Sequence, residues 1–218
     1  MKSNWESKLE YFKTILVEAL EVPKVELDWL KKACAQTKKD GAKANTYLVG
    51  HIKEEYHFKK VAPHFVDFLL HSLQLPIAKQ HSNSLSYLSE NKPFYLHDMW
   101  VNYMKKHEFN PPHGHSGIYS FVIFVKIPYD LKKEEKHFSE VKVKNHEHAY
   151  VHTANHTSKF MFLNTSHDGR IITKVLDVDK SFEGKMILFP AAQLHQVFPF
   201  YTSNDYRITV SGNIRIKV

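Results

Sequence analysis

Cysteine, arginine and long apolar runs are scarce in this chain of 218 residues, and each scarcity excludes something. The single cysteine, Cys34, rules out an intramolecular disulfide and a thiolate zinc cage. Any metal must therefore be held by imidazole and carboxylate, and a reducing cytosol fits. No stretch approaches the roughly 18 consecutive apolar residues of a membrane span. The start, Met1 to Glu6, also lacks the apolar stretch of a signal peptide. A soluble cytoplasmic protein with no membrane partner is expected. Of 30 basic residues only three are arginine, Arg170, Arg207 and Arg215, so the formal net charge of +7 rests on dispersed lysine. Specific nucleic-acid reading leans on clustered bases and bidentate arginine, and is not expected here.

With 43% hydrophobic and 24% charged residues, the chain reads as a single domain, 1–218, with a full core. Residues 1–92 read as mostly helical. Trp5, Leu9, Phe12, Leu16 and Leu20 share one helical face up to Val22-Pro23. A second helix is predicted from Lys24 to Asp40-Gly41, where the glycine can take a left-handed stop. A third runs from about Val61 to Leu73, before Pro76, and Thr46 to Phe58 settles on no period. From residue 93 the texture turns β-branched and aromatic. Strands are predicted at Phe94 to Lys105, Ile118 to Ile127, Lys159 to Asn164, Ile171 to Val178, Met186 to Phe189, His195 to Phe200, and Tyr206 to Val218. Asn110-Pro111-Pro112 reads as a turn, and Lys132-Lys133-Glu134-Glu135-Lys136 as a solvated one. The fold class is mainly β: a jelly roll (double-stranded β-helix, cupin-like) over 93–218, with the helices of 1–92 covering one sheet.

Sixteen histidines make chance a serious competitor. About one His-x-His pattern is expected by composition, and two occur, His113-Gly114-His115 and His146-Glu147-His148. Context separates them. His113 and His115 stand where a proline turn hands over to an apolar strand, and residues i and i+2 there point to one side, so two imidazoles can share an ion. His195 follows the apolar segment Gly184 to Pro190 and supplies a distant third ligand. Arg207 lies twelve residues further, with Thr209 two beyond it on the same face. In a lysine-using chain, such an arginine is a fork-shaped carboxylate receptor.

The combination Trp100-Val101-Asn102, Pro112-His113-Gly114-His115-Ser116, Gly184 to Pro190, His195 and Arg207-Ile208-Thr209 resembles the iron(II)- and 2-oxoglutarate-dependent oxygenases. It is most similar to a small type found in bacteriophages and marine bacteria. The resemblance covers Phe94 to Val218 and, more loosely, Leu48 to Ile52. It implies Fe(II) on His113 and His195, and Arg207 with Thr209 clasping the C5 carboxylate of 2-oxoglutarate. It also implies that Asn102 touches that co-substrate. His115 departs from the Asp or Glu of most of the superfamily. The resemblance thus implies a three-histidine site, unless His115 turns away and a water replaces it. The implied activity is a dioxygenase that consumes O2 and 2-oxoglutarate, releases succinate and CO2, and hydroxylates an unidentified substrate. A phage-encoded copy would work in its host's cytoplasm.

Two other readings compete. One is a cupin-type dioxygenase with three histidines and no 2-oxoglutarate, which has no need of a carboxylate clasp at Arg207. The other is a non-catalytic jelly-roll binding or virion-associated protein. For Arg207 itself the bland reading is an ion pair with Asp205 on an edge strand. The second cluster, His146, His148, His152 and His156, has one-face spacing only if helical, and its β-favouring neighbours favour a loop over a zinc site. Substrate and oligomeric state are not written in these residues.

Overall fold

The computed structural model describes residues 18–74, 92–145, 156–166 and 168–217. Strands β1 (Glu18–Glu21), β2 (Ala42–Lys43), β3 (Glu55–His57), β4 (Phe94–Met104), β5 (Asn110–His113), β6 (Tyr119–Lys126), β7 (Phe160–Thr165), β8 (Ile171–Leu176), β9 (Lys185–Pro190), β10 (His195–Val197) and β11 (Arg207–Ile216) form two antiparallel sheets. The larger has the order β1-β9-β6-β11-β4-β3-β2 and the smaller β5-β10-β7-β8. Helices α1 (Lys24–Asp40) and α2 (Pro63–His71) cover the outer face of the larger sheet. The architecture is the jelly roll expected, mainly β with helices on one sheet.

Side-chain parity along the central strands explains both faces. In β4, Met99, Val101 and Tyr103 join the helix-side core with Leu30, Phe65 and Leu69 of the helices. Their alternate neighbours Trp100, Asn102 and Met104 point the other way, into the space between the sheets. In β11, Val210 and Ile214 face the helices, whereas Arg207, Thr209 and Ser211 face inward. Register sets Thr209 opposite Asn102 and Ser211 opposite Trp100. A strand's period of two thus stacks one polar row on the inner face of an otherwise apolar sheet. A second core, with Phe124, Phe160, Phe162, Ile187 and Phe189, seals the inter-sheet space at one end.

All seven predicted strands are present, and the helices predicted from Lys24 and Val61 appear as Lys24–Asp40 and Pro63–His71, the latter extended by a 3-10 turn at Ser72–Gln74. Four expectations need correction. Most of the first predicted helix lies outside the described residues, and its end, Glu18–Glu21, is strand β1, held against Lys185 to Leu188 of β9. Gly41 is extended (φ −71°, ψ 151°) rather than left-handed, because the chain leaves α1 directly into β2. Asn110-Pro111-Pro112 is not a turn but β5, an edge strand that pairs on one side only, as its prolines require. The charge run at 132–136 belongs to α3 (Leu131–Asn145), where Glu134 is fully buried. Its carboxylate accepts from the backbone N–H of Tyr201 (2.9 Å) and Thr202 (2.7 Å) and from the Thr202 hydroxyl.

Candidate active site

His113 ends β5 and His195 opens β10, and the two are directly paired across the ladder. His115 follows in the turn, its backbone N–H bonded to Ala191 O at 2.8 Å. The ring centroids lie 4.2 Å (His113 to His195), 5.0 Å (His113 to His115) and 5.1 Å (His115 to His195) apart. One nitrogen from each ring falls within 4.8 Å of the others, a spacing one metal ion can span. Among the described residues this is the one such group.

Hydrogen bonds select the tautomers. His113 Nδ1 lies 2.8 Å from Pro111 O, and His195 Nδ1 lies 3.0 Å from Gln193 O. A carbonyl only accepts, so each Nδ1–H donates and each Nε2 keeps its lone pair for a metal. His195 is also clamped by rings, parallel to Phe160 (5.4 Å between centroids) and edge-on to Phe189 (4.9 Å). Burial, reinforced by the neighbouring His113, pushes His195 down to about 3 and His115 down to about 4. Burial likewise lowers His113. All three are neutral at physiological pH, the state that binds metal.

One pocket joins the triad to the polar row of β4 and β11: Asn102, Arg207, Thr209 and Ser211 line it together with His113, His115 and His195. Ile52, Met104, Val122 and Phe160 supply its apolar walls. Arg207 is 1% exposed on the fourth of seven strands, so it is neither at a surface nor on an edge. Asp205, its supposed partner, pairs with Lys126 at 2.5 Å instead. Arg207 Nη1 donates to Ser158 O at 3.3 Å, an oxygen that also accepts from the Tyr129 hydroxyl at 3.1 Å. Its Nε meets no acceptor, and no carboxylate among the described residues pairs with it. Asn102 donates to Thr209 Oγ1 at 3.3 Å and leaves its own Oδ1 unmet. A buried guanidinium without an anion costs several kcal/mol. The pocket is therefore incomplete in the way an acidic ligand would complete it.

His113, His115, His195, Asn102, Arg207 and Thr209 thus line one pocket, as does Trp100, whose ring centroid lies 5.7 Å from that of His115. Of the second histidine cluster, His146, His148 and His152 lie outside the described residues. His156 stacks on Phe198 at 5.0 Å. Sequence reasoning missed Ser158, whose carbonyl accepts from Arg207, Tyr129, which donates to the same carbonyl, and Glu55 and Asn110 beside the triad. Nothing local marks them, since their meaning comes from pairings between distant strands.

Among solved structures the chain is similar to a prolyl-4-hydroxylase of Pseudomonas putida, with a TM-score of 0.53 and 11% identity over 97% of this chain and 98% of that one. It is also similar to OsALKBH1, with a TM-score of 0.50 and 8% identity over 91% of this chain and 98% of that one. At such identities the likeness shows the fold alone. No curated protein matches the sequence. The model of the 2OG-Fe(II) oxygenase family matches residues 98–213, the stretch from β4 to β11 that carries the triad and Arg207. The chain belongs to the 2OG-Fe(II) oxygenase family.

Proposed function

We propose that this oxygenase is a hydroxylase that holds iron(II) on His113, His115 and His195 and binds 2-oxoglutarate between that metal and Arg207. The observation that carries the reading is the buried, anion-less guanidinium of Arg207 in the triad's own pocket. Family membership implies Fe(II) and 2-oxoglutarate, and the residues fit both. Three neutral imidazoles offer lone pairs, and Arg207, with the Thr209 hydroxyl, offers donors to a distal carboxylate. Iron(II) with 2-oxoglutarate and O2 supplies the oxidising chemistry, releasing succinate and CO2 and hydroxylating the substrate.

The chain's own work is positioning. Pro111 O and Gln193 O fix the two imidazoles, and Phe160 and Phe189 immobilise His195 and exclude water. Ser158 O orients the Arg207 fork, and Asn102, through Thr209 Oγ1, keeps the hydroxyl on the same wall. A three-histidine dioxygenase without 2-oxoglutarate would leave Arg207 buried and unpaired in every state, which argues against that alternative.

The test is thermal. Manganese(II) with 2-oxoglutarate is expected to raise the melting temperature, and Arg207→Ala to abolish the 2-oxoglutarate component while the metal component persists. A wild-type protein indifferent to millimolar 2-oxoglutarate would sink the reading.

A further inference from the structure

A second cavity shares Trp100, Asn110, His113 and His115 with the pocket of the triad. Its other wall is the segment Tyr47 to Gly50, between β2 and β3, and its floor is Glu55 of β3. Glu55 is 1% exposed. Its Oε2 accepts from Asn45 Nδ2 at 3.2 Å, and no lysine, arginine or histidine among the described residues forms an ion pair with it. Asn110 Oδ1 is buried and unmet. A Cβ on Gly50 would come within 2.3 Å of that oxygen and 3.1 Å of Glu55 Oε1, so both oxygens face the same stretch of backbone. No lysine or arginine lines the cavity. Reversing the Asn110 amide would supply one donor but no cation for the ionised form of Glu55.

A buried acceptor without a donor, and a buried carboxyl without a cation, call for a ligand that brings both. The rim suits an aliphatic stem: Tyr47 is 82% exposed and Val49 53%. We infer that this cavity is the substrate subsite and takes a protonated amine or guanidine on an alkyl stem, with the cation on Glu55 and the stem between Tyr47, Val49 and the His113–His115 turn. The inference rests on the oxygenase reading, since it places the stem's C–H bonds beside the proposed metal. Burial, with Glu108 nearby, raises the Glu55 carboxyl to about 7, and a cation bound beside it would hold it ionised.

The test uses n-butylamine, Nα-acetyl-lysine amide and, as neutral control, 1-butanol. Binding is followed by calorimetry, and by broadening of the probes' proton signals in protein carrying manganese(II) and 2-oxoglutarate. The amines are expected to bind and broaden, 1-butanol to bind at least ~10-fold more weakly, and Glu55→Gln to lose most of that difference. Binding by butylamine and not the lysine amide assigns a free amine, and binding by the lysine amide assigns a side chain. Tyr47→Ala, at an exposed position that leaves the fold alone, is expected to weaken both several-fold. Equal binding of butanol, an unaffected Glu55→Gln, or no amine binding overturns the inference. If amines fail while the 2-oxoglutarate thermal shift persists, only the subsite falls. If the shift is absent and Glu55-dependent amine binding remains, the oxygenase reading falls instead.

Discussion

Replacing a carboxylate by an imidazole at His115 changes the charge of the proposed metal site. Three neutral ligands leave a divalent ion's charge uncompensated by protein, so the anionic co-substrate becomes the main neutralising partner. Metal and 2-oxoglutarate should therefore bind with strong mutual coupling, which linkage makes reciprocal. His115→Asp is expected to tighten manganese(II) in the absence of 2-oxoglutarate and to shrink the gain that 2-oxoglutarate brings, as measured by metal titration with and without it. A second prediction concerns acid. With folded values held below 6.5, the three histidines contribute stability that is fully present above 6.5 and drains away as pH falls towards 4 and 3. Glu55 acts in the opposite sense. Raised from 4.5 to about 7, it contributes stability that is present below 4.5 and lost as pH rises through 7. Glu55→Gln should thus steepen the rise in metal-free stability between pH 4.5 and 6.5, readable from urea midpoints at each pH. His113 and His195 were legible in the sequence as candidates because of their context and spacing, and Arg207 because arginine is scarce in this chain. Glu55 was not, because one glutamate in a segment without period acquires meaning only when β3 pairs with β4.

At the scale of elements, period-two alternation and turn chemistry sufficed for the seven main strands, and helical spacing for α1 and α2. The errors came from tertiary pairing. β1, β2 and β3 are two to four residues long and exist because a neighbouring strand offers a ladder, which no local pattern can announce. The α3 charge run looked like solvent-facing turn because four of its five charges suit one; the fifth, Glu134, is the anchor of the element. Its carboxylate holds the N–H groups of Tyr201 and Thr202, just beyond β10, and so ties α3 to the chain that leads into Arg207. Glu134→Ala would leave buried donors unmet and is expected to cost roughly 2–4 kcal/mol, read as a lowered denaturation midpoint. Glu135→Ala, at a half-exposed neighbour, should cost far less. A further mark of close packing is Gly212 in the middle of β11. A Cβ there would come within 2.6 Å of Asp98 O and 2.7 Å of the Phe121 ring. Gly212→Ala should destabilise by about 1–3 kcal/mol.

For the molecule as a whole, ligand linkage gives the scale of the thermal test. At a hundred-fold excess over Kd a ligand adds about 2.7 kcal/mol, which for a chain of this size is roughly 5–10 °C in Tm. That is large enough to separate wild type from Arg207→Ala without ambiguity. The arrangement of strands has a consequence for change over time. Arg207 and Thr209 stand on β11, hydrogen-bonded on both sides by β4 and β6, where a one-residue slip would exchange the helix-facing and inward-facing rows together. Glu55 and the Tyr47–Gly50 segment belong to the margin of the same sheet, beside the two-residue strand β2. Insertions at that margin leave the central ladder intact, so a preference set at the inferred substrate subsite can drift while the proposed receptor for the co-substrate stays locked in the middle of the sheet.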